Sequence, residues 1–361
     1  MLNNKSKIEK EETGIWKYAD FYSESIKPEN RLILDDGDTK ELESESINKL
    51  AGGRVFFKRE DENETESLKG RSLAYQVSLA KQRGARELVI STSGNAGIAA
   101  AAYCRKAGIR LYIFISPDTD AEKILSMQKY DPVIIRSRKA IRLANYLSAK
   151  KKIRNLRPSR DESSIEGFKS ISFEIFEHIG EIDALFTFVT SGSSFLGIGS
   201  AFENLRSEGK IKKLPGMFAI QGGGIFSIAR EFDKINDAGL ADECAAGKLG
   251  IKETRRKSAI IELIKTSKGE SYYITDLEIE AARKILASHD IHTSGEGCAS
   301  FAGLYRWSRA NNFNKAVCIL SGKEREKVDK IDESGIHCAE SFEEADGLIN
   351  QISNIKYQND R

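Results

Sequence analysis

Short apolar runs alternate with longer segments of helical spacing over most of the chain. Arg54 to Phe57, Glu87 to Ile90, Leu111 to Ile115 and Val133 to Ile135 read as strands. Leu68 to Arg83, Ala96 to Ala107, Ile124 to Lys129 and Ala140 to Lys151 read as helices, with Gly108 ending the second. A second series follows Asn155. Its helices are Gly167 to Ile179, Phe195 to Ser207, Glu278 to Ser288 and Gly297 to Asn311, and its strands Ala184 to Val189, Met217 to Gln221 and Ala316 to Leu320. Near-continuous apolar strands alternating with helices predict parallel sheets covered on both faces. Glu41 to Ser46 and Asp61 to Glu66 are polar and read as surface loops, and the polar tail Gln351 to Arg361 reads as frayed.

A chain of 361 residues is long enough for two domains or one large α/β body. With 40% hydrophobic and 30% charged residues it belongs with folded, soluble proteins. The 56 Lys and Arg nearly balance the 54 Asp and Glu, for a net charge of +2, which argues against nucleic acid as a partner. The densest basic run, Lys150 to Lys152 followed by Arg154, Arg157 and Arg160, reads first as solvated surface and second as a contact for a substrate phosphate. No stretch approaches the roughly 20 apolar residues of a membrane span, and Met1 to Glu12 lacks the apolar core of a signal peptide. A cytoplasmic protein is expected. The five cysteines form no CxxC pair, so neither a disulfide framework nor a metal site is expected. His289 and His292 read as structural.

Loops after strands are where α/β proteins place their chemistry. Ser91-Thr92-Ser93-Gly94-Asn95-Ala96-Gly97, Thr190-Ser191-Gly192-Ser193-Ser194 and Ser321-Gly322 each follow an apolar run. The second leads into a helix, where unpaired N–H groups and the positive dipole end suit a phosphate. It has neither the Gly-Lys-Ser/Thr of a P-loop nor GxGxxG spacing, so alone it is equally well an ordinary strand–helix turn.

Lys69 lies in Glu66-Ser67-Leu68-Lys69-Gly70-Arg71, eight residues after Asp61, and periodicity does not single it out from an exposed helix lysine. The combination of segments does. Phe57-Lys58-Arg59-Glu60-Asp61 with Lys69 resembles the lysine motif KxEDxNPTGSFKDR of fold-type II enzymes that carry pyridoxal 5′-phosphate. Ser93 to Gly97 resembles their SxGNxG motif, Thr190 to Ser194 their phosphate loop, and Ser321 the hydroxyl residue beside the pyridine nitrogen. Within that superfamily the threonine synthases are most similar, from about Gly14 to Lys323. Gly14 to Tyr18 resembles their opening, Leu34 to Thr39 their LGEGNTP segment, Ile165 to Ser170 their RxEGQKT segment, and Cys298 to Leu304 their late small-residue helix.

The resemblance implies a two-domain α/β fold like the tryptophan synthase β chain, each domain a mostly parallel sheet covered by helices. The expected large domain takes residues 1–55 and 161–361, and the small domain 56–160. It implies Lys69 as the Schiff-base lysine, Asn95 on the ring oxygen, Ser191, Gly192, Ser193 and Ser194 on the cofactor phosphate, and Ser321 at the ring nitrogen. It further implies Ser91, Thr92 and Ser93 on the substrate carboxylate, a small amino-acid substrate, and a homodimer with no nucleic-acid or membrane partner. The expected reaction converts O-phosphohomoserine and water to threonine and phosphate. Several positions depart from the family pattern. Glu66 replaces a glycine, Gly70 an aspartate, and Asp36 a glutamate. Thr190 and Ser193 stand where glycines are common, and Ser164 stands where a substrate-phosphate arginine does, with Arg157 or Arg160 nearby to substitute. Two alternatives stay open: elimination or replacement on another amino acid, as in a Ser/Thr dehydratase, and a paralogue that has lost catalysis.

Overall fold

The computed structural model describes residues 13–233, 253–328 and 330–359. The first half runs β1 (Glu41–Glu43), α1 (Glu45–Ala51), β2 (Arg54–Lys58), α2 (Lys69–Gln82), β3 (Glu87–Ser91), α3 (Asn95–Ala107), β4 (Arg110–Ile115), α4 (Ala121–Gln128), β5 (Val133–Arg136), α5 (Ala140–Lys151) and β6 (Arg154–Asn155). The second half runs α6 (Lys169–Ile179), β7 (Ala184–Phe188), α7 (Ser193–Ser207), β8 (Gly216–Gly222), α8 (Lys257–Thr266), β9 (Ser271–Ile274), α9 (Asp276–Ala287), α10 (Gly295–Ser308), β10 (Lys315–Ile319), β11 (Ile336–Cys338) and α11 (Phe342–Asn359).

The strands form a six-stranded sheet, β1-β2-β10-β7-β8-β9, and a five-stranded sheet, β11-β5-β4-β3-β6. Every pairing is parallel except β1 with β2 at the edge of the larger sheet. Successive strand residues face opposite sides, and the cores follow that period. In the smaller sheet Leu88, Ile90, Leu111 and Ile113 pack into one cluster and Val89, Tyr112, Phe114 and Ile135 into another. In the larger sheet Phe56, Leu185 and Val317 face one cluster, and Val55, Phe57, Phe186 and Cys318 the other. Helices cover all four faces, which gives the expected two-sheet α/β fold.

Parallel pairing puts the C-terminal ends of neighbouring strands on one edge. In the larger sheet β2, β10 and β7 are neighbours. Their outgoing segments, 59–68, 320–322 and 189–192, therefore meet. In the smaller sheet β6 lies beside β3, so Ser91 to Ser93 and Arg157 to Arg160 leave the same edge. The two edges face each other across the site.

Four details differ from the sequence reading. Glu41 to Ser46 is not a loop, since β1 pairs with β2 and α1 begins at Glu45. The stretch 61–66 is only half surface: Asp61, Asn63 and Thr65 are buried while Glu62 and Glu64 are exposed. The tail is helical to Asn359 rather than frayed from Gln351. The division of the chain differs as well. β11 pairs with β5, and Ile15, Trp16, Tyr22, Ile26 and Leu32 join the cluster of α2, α3 and the smaller sheet. Both chain ends thus contribute to the body expected from 56–160 alone. An apolar segment packs where a face is uncovered, and sequence distance does not limit that choice.

Candidate active site

Lys69 is the first residue of α2. The segment before it is tied to the loop after β10: Leu68 N donates to Ser321 O at 3.0 Å, and Ser67 bridges Gly322. The Lys69 Nζ lies 5.6 Å from the centre of the Phe168 ring. Burial lowers the pKa of this amine, and the Glu296 carboxylate only partly opposes it. An amine held toward neutrality is what a nucleophilic or proton-moving lysine requires.

Asn95 opens α3. A side chain on Gly322 would start 2.9 Å from Asn95 Nδ2, so the two loops come close together here. Ser67 to Lys69, Ser321-Gly322 and Asn95 therefore converge. Phe168, which the sequence reading did not single out, links this group to the phosphate loop. A Cβ on Gly197 of α7 would lie 2.8 Å from Phe168 Cβ, so the first turns of α7 rest against the residue beneath Lys69.

The loop Thr190 to Ser194 turns through Gly192, whose φ of 81° is left-handed, and enters α7 at Ser193. The hydroxyls of Ser191 and Ser193 lie 3.3 Å apart. Ser164, buried, donates to Ser193 Oγ and to Pro158 O, both at 3.1 Å. Ser193 Oγ also reaches Pro158 O at 3.2 Å. Arg256, which carries no sequence signal, arrives from just before α8. Its Nη1 donates to Pro158 O at 2.8 Å, it pairs with Glu162 at 3.0 Å, and its buried Nε has no hydrogen-bond partner among the described residues. Thr254 Oγ1 donates to Ser191 O at 2.7 Å.

On the smaller sheet Ser91 Oγ is buried without a partner among the described residues, and such a group calls for a ligand or water. Thr92 is fixed in its turn, its N–H donating to Phe114 O and its hydroxyl accepting from Gly94 N. Arg157 is half-buried and Arg160 exposed. Among the described residues neither guanidinium has an anionic partner. Burial and then Arg160 lower the pKa of Arg157.

Beneath α2 lies a buried charge network. Arg71 binds Glu60 Oε2 at 2.7 Å and Glu174 Oε1 at 2.5 Å, and Lys58 pairs with Glu174 and Glu41. The Arg71 and Lys58 cations hold the Glu174 carboxyl well below its usual range against the cost of burial. The network anchors the end of β2, α2 and α6 together. Above it the buried Asp36 carboxylate accepts from Thr65 Oγ1 at 2.9 Å, Thr65 N at 3.2 Å and Tyr103 OH at 2.6 Å. Burial pushes Asp36 up to about 6.

Two facing α/β edges with a lysine between them are the architecture of fold-type II enzymes. An aspartate racemase dependent on pyridoxal 5′-phosphate superposes with a TM-score of 0.69 over 80% of this chain and 91% of that one, at 19% identity. Maize serine racemase gives 0.67 over 80% and 88%, also at 19%. Residues 32–322 match the family described as "Pyridoxal-phosphate dependent enzyme"; the chain belongs to that family, and pyridoxal 5′-phosphate is its cofactor. Threonine synthase from Halalkalibacterium halodurans is 28% identical over 81% of this chain and 83% of its own length. The threonine synthase from Methanocaldococcus jannaschii is 25% identical over 88% and 82%. The residues present fit the cofactor: the Gly322 approach would be filled by a Cβ, the Ser91 hydroxyl is unpaired, and the Gly192 turn opens a helix N-terminus. Among the described residues no helix is long and apolar enough to cross a membrane.

Proposed function

We propose that the protein converts O-phosphohomoserine and water to threonine and phosphate, with Lys69 as the lysine that carries the cofactor. The observation that carries the substrate is Arg157, half-buried next to Pro158, whose carbonyl meets Ser193 of the phosphate loop, and without an anionic partner among the described residues, which supports a second phosphate subsite apart from that of the cofactor. The threonine synthases among its relatives support the same reading.

The cofactor, when bound, supplies the electron sink for a carbanion next to the amino group. The chain does the rest. Asn95 Nδ2 donates to the ring oxygen. Ser191, Gly192, Ser193 and Ser194 hold the cofactor phosphate through hydroxyls and the free N–H groups of the first turn of α7, with Arg256 adding positive charge behind them. The Ser321 hydroxyl meets the ring nitrogen. Being neutral, it does not hold a proton there as a carboxylate does, which favours elimination and replacement over transamination. Ser91, Thr92 and Ser93 take the substrate carboxylate, and Arg157 and Arg160 its phosphate. The Lys69 amine, whose pKa burial lowers, moves protons at Cα and its neighbours. Phosphate then leaves the γ-carbon, and water adds its hydroxyl at the β-carbon. A cytoplasmic homodimer belongs to this reading, with sedimentation as its check.

The test is phosphate release and threonine formation from O-phosphohomoserine by the holoprotein, with Lys69→Ala beside it. Release that needs Lys69 and yields threonine is expected. Cofactor bound through Lys69 but no release would sink the substrate and turn the search to another amino acid or to a non-catalytic role. A Lys69→Ala protein that keeps the absorbance of lysine-bound cofactor would sink the lysine assignment itself.

A further inference from the structure

Gly70 follows Lys69 directly, at a position where the lysine motif it resembles has an aspartate. The structure gives a reason for the glycine. A Cβ built on Gly70 falls among Asp36 Oδ1, Asp36 Cγ and Thr65 Oγ1. The space that a side chain at 70 would use is already filled by a carboxylate arriving from residue 36. Asp36 is buried, 4% exposed, and its contacts are specific. Its Oδ1 accepts from the Thr65 hydroxyl and N–H, and its Oδ2 from Tyr103 OH. Thr65 lies four residues before Lys69. Tyr103 lies two turns along α3, the helix that Asn95 begins.

We infer that Asp36 is a positioning residue that occupies the space of a side chain at 70 and fixes Lys69 relative to Asn95 by clamping the lysine segment to α3. Three hydrogen bonds to one carboxylate join parts of the chain 29 and 67 residues away from it in sequence. A charged acceptor makes such bonds stronger than neutral ones. Burial raises the pKa of Asp36 to about 6, against the hydrogen bonds from Tyr103 and Thr65 and then the Arg71 guanidinium, which favour its ionised form. The hydrogen bonds of the side chain go to Thr65 and Tyr103, and it acts on Lys69 and Asn95 through them. This role rests on Lys69 being the cofactor lysine.

The geometry makes an exchange testable, because one carboxylate fits and two do not. Gly70→Asp alone drives a side chain into Asp36 and sets two acids together. Asp36→Ala alone removes the clamp. The double variant Asp36→Ala/Gly70→Asp returns one carboxylate to the same space. Each protein is titrated in its apo form with pyridoxal 5′-phosphate, and the lysine-bound absorbance at saturation and the melting temperature are recorded. Each single variant is expected to weaken binding about tenfold, and the double variant to return to within about threefold of wild type, because contacting residues are not additive. A merely structural role would lower the melting temperature without shifting the absorbance of the saturated protein; the clamp predicts a shift in Asp36→Ala that the double variant reverses. If Gly70→Asp does not fold, a folded, cofactor-binding double variant is itself the rescue. Losses that multiply in the double variant, or Gly70→Asp behaving as wild type, would overturn the inference. Lys69→Ala separates this result from the lysine assignment: if it keeps the lysine-bound band, that assignment fails, whatever the exchange shows.

Discussion

Glu66 sits where the lysine motif it resembles has glycine, and its φ of 59° is left-handed. A side chain in that conformation costs roughly 1 kcal/mol. The carboxylate offsets the strain by pairing with Arg325 at 2.5 Å and Lys323 at 3.2 Å. Arg325 is itself mostly buried and donates to Ser126 Oγ of α4 at 3.0 Å. The residue thus ties the lysine segment to the strand end that carries Ser321 and to a helix of the smaller sheet. Glu66→Ala keeps the strain and loses the pairs, for an expected destabilisation of about 1–2 kcal/mol. Glu66→Gly loses both strain and pairs and is expected within about 0.5 kcal/mol of wild type. Urea unfolding of the three proteins gives the order directly, and equal stability of the Ala and Gly variants would mean that residue 66 is not left-handed in solution. At this scale the motifs were legible in sequence, and so were their departures, but not the reasons for them. Nothing near Gly70 announces the carboxylate of Asp36, and nothing near Ser193 announces Arg256, because both contacts are made by distant segments.

Among the elements, the readable ones carry a sustained period. β3, β4, α3 and α7 emerge from the sequence within a residue or two, and with them the loops at 91–95 and 191–194. Some of the unread ones are short or lie at edges, while the helices α8 and α11 are neither. β1 has three residues and α1 seven, too few for a period to accumulate. α8 does space Ile260, Leu263 and Ile264 as a helix and buries all three, and it supports the phosphate loop. A Cβ on Gly192 would strike Ile260 Cδ1 and come within 3.6 Å of Arg256 Cβ. Gly192→Ala therefore meets two penalties, the left-handed φ and the side chain of α8. A loss of about 1–3 kcal/mol is expected, with weaker cofactor binding as the α7 N-terminus is displaced. Adding Ile260→Ala removes the contact but not the backbone strain, so binding should recover in part while stability does not. Thermal melts and cofactor titrations of the single and double variants read both. A Gly192→Ala protein that binds like wild type would show that the turn is not held against α8.

In the whole molecule, the site is shared by two sheets that the chain visits out of order. Lys69 and Ser321 come from segments beside the larger sheet, and Ser91 and Asn95 from the edge of the smaller one. The smaller sheet is completed only by the last described residues. β11 adds to β5, and Ala339, Ala345 and Ile349 pack among Tyr112, Phe114, Leu143 and Leu147. The Phe342 ring lies 4.4 Å from that of Tyr146, and Tyr146 and Lys150 of α5 both bind Asp346. Deleting residues 336–361 opens this cluster to water and leaves β5 as an unpaired edge. β3, which ends at Ser91, is two strands away in the same sheet, with β4 between. The truncated chain is therefore expected to melt roughly 10 °C lower and to lose cofactor affinity although every proposed site residue is still present. Amide exchange should quicken in β4 and β5 while β7 and β8 of the larger sheet stay protected, because the loss begins on one sheet. If the truncated protein melted and bound cofactor like the full chain, the smaller sheet would not depend on the chain end, and the site would draw its rigidity from the larger sheet alone.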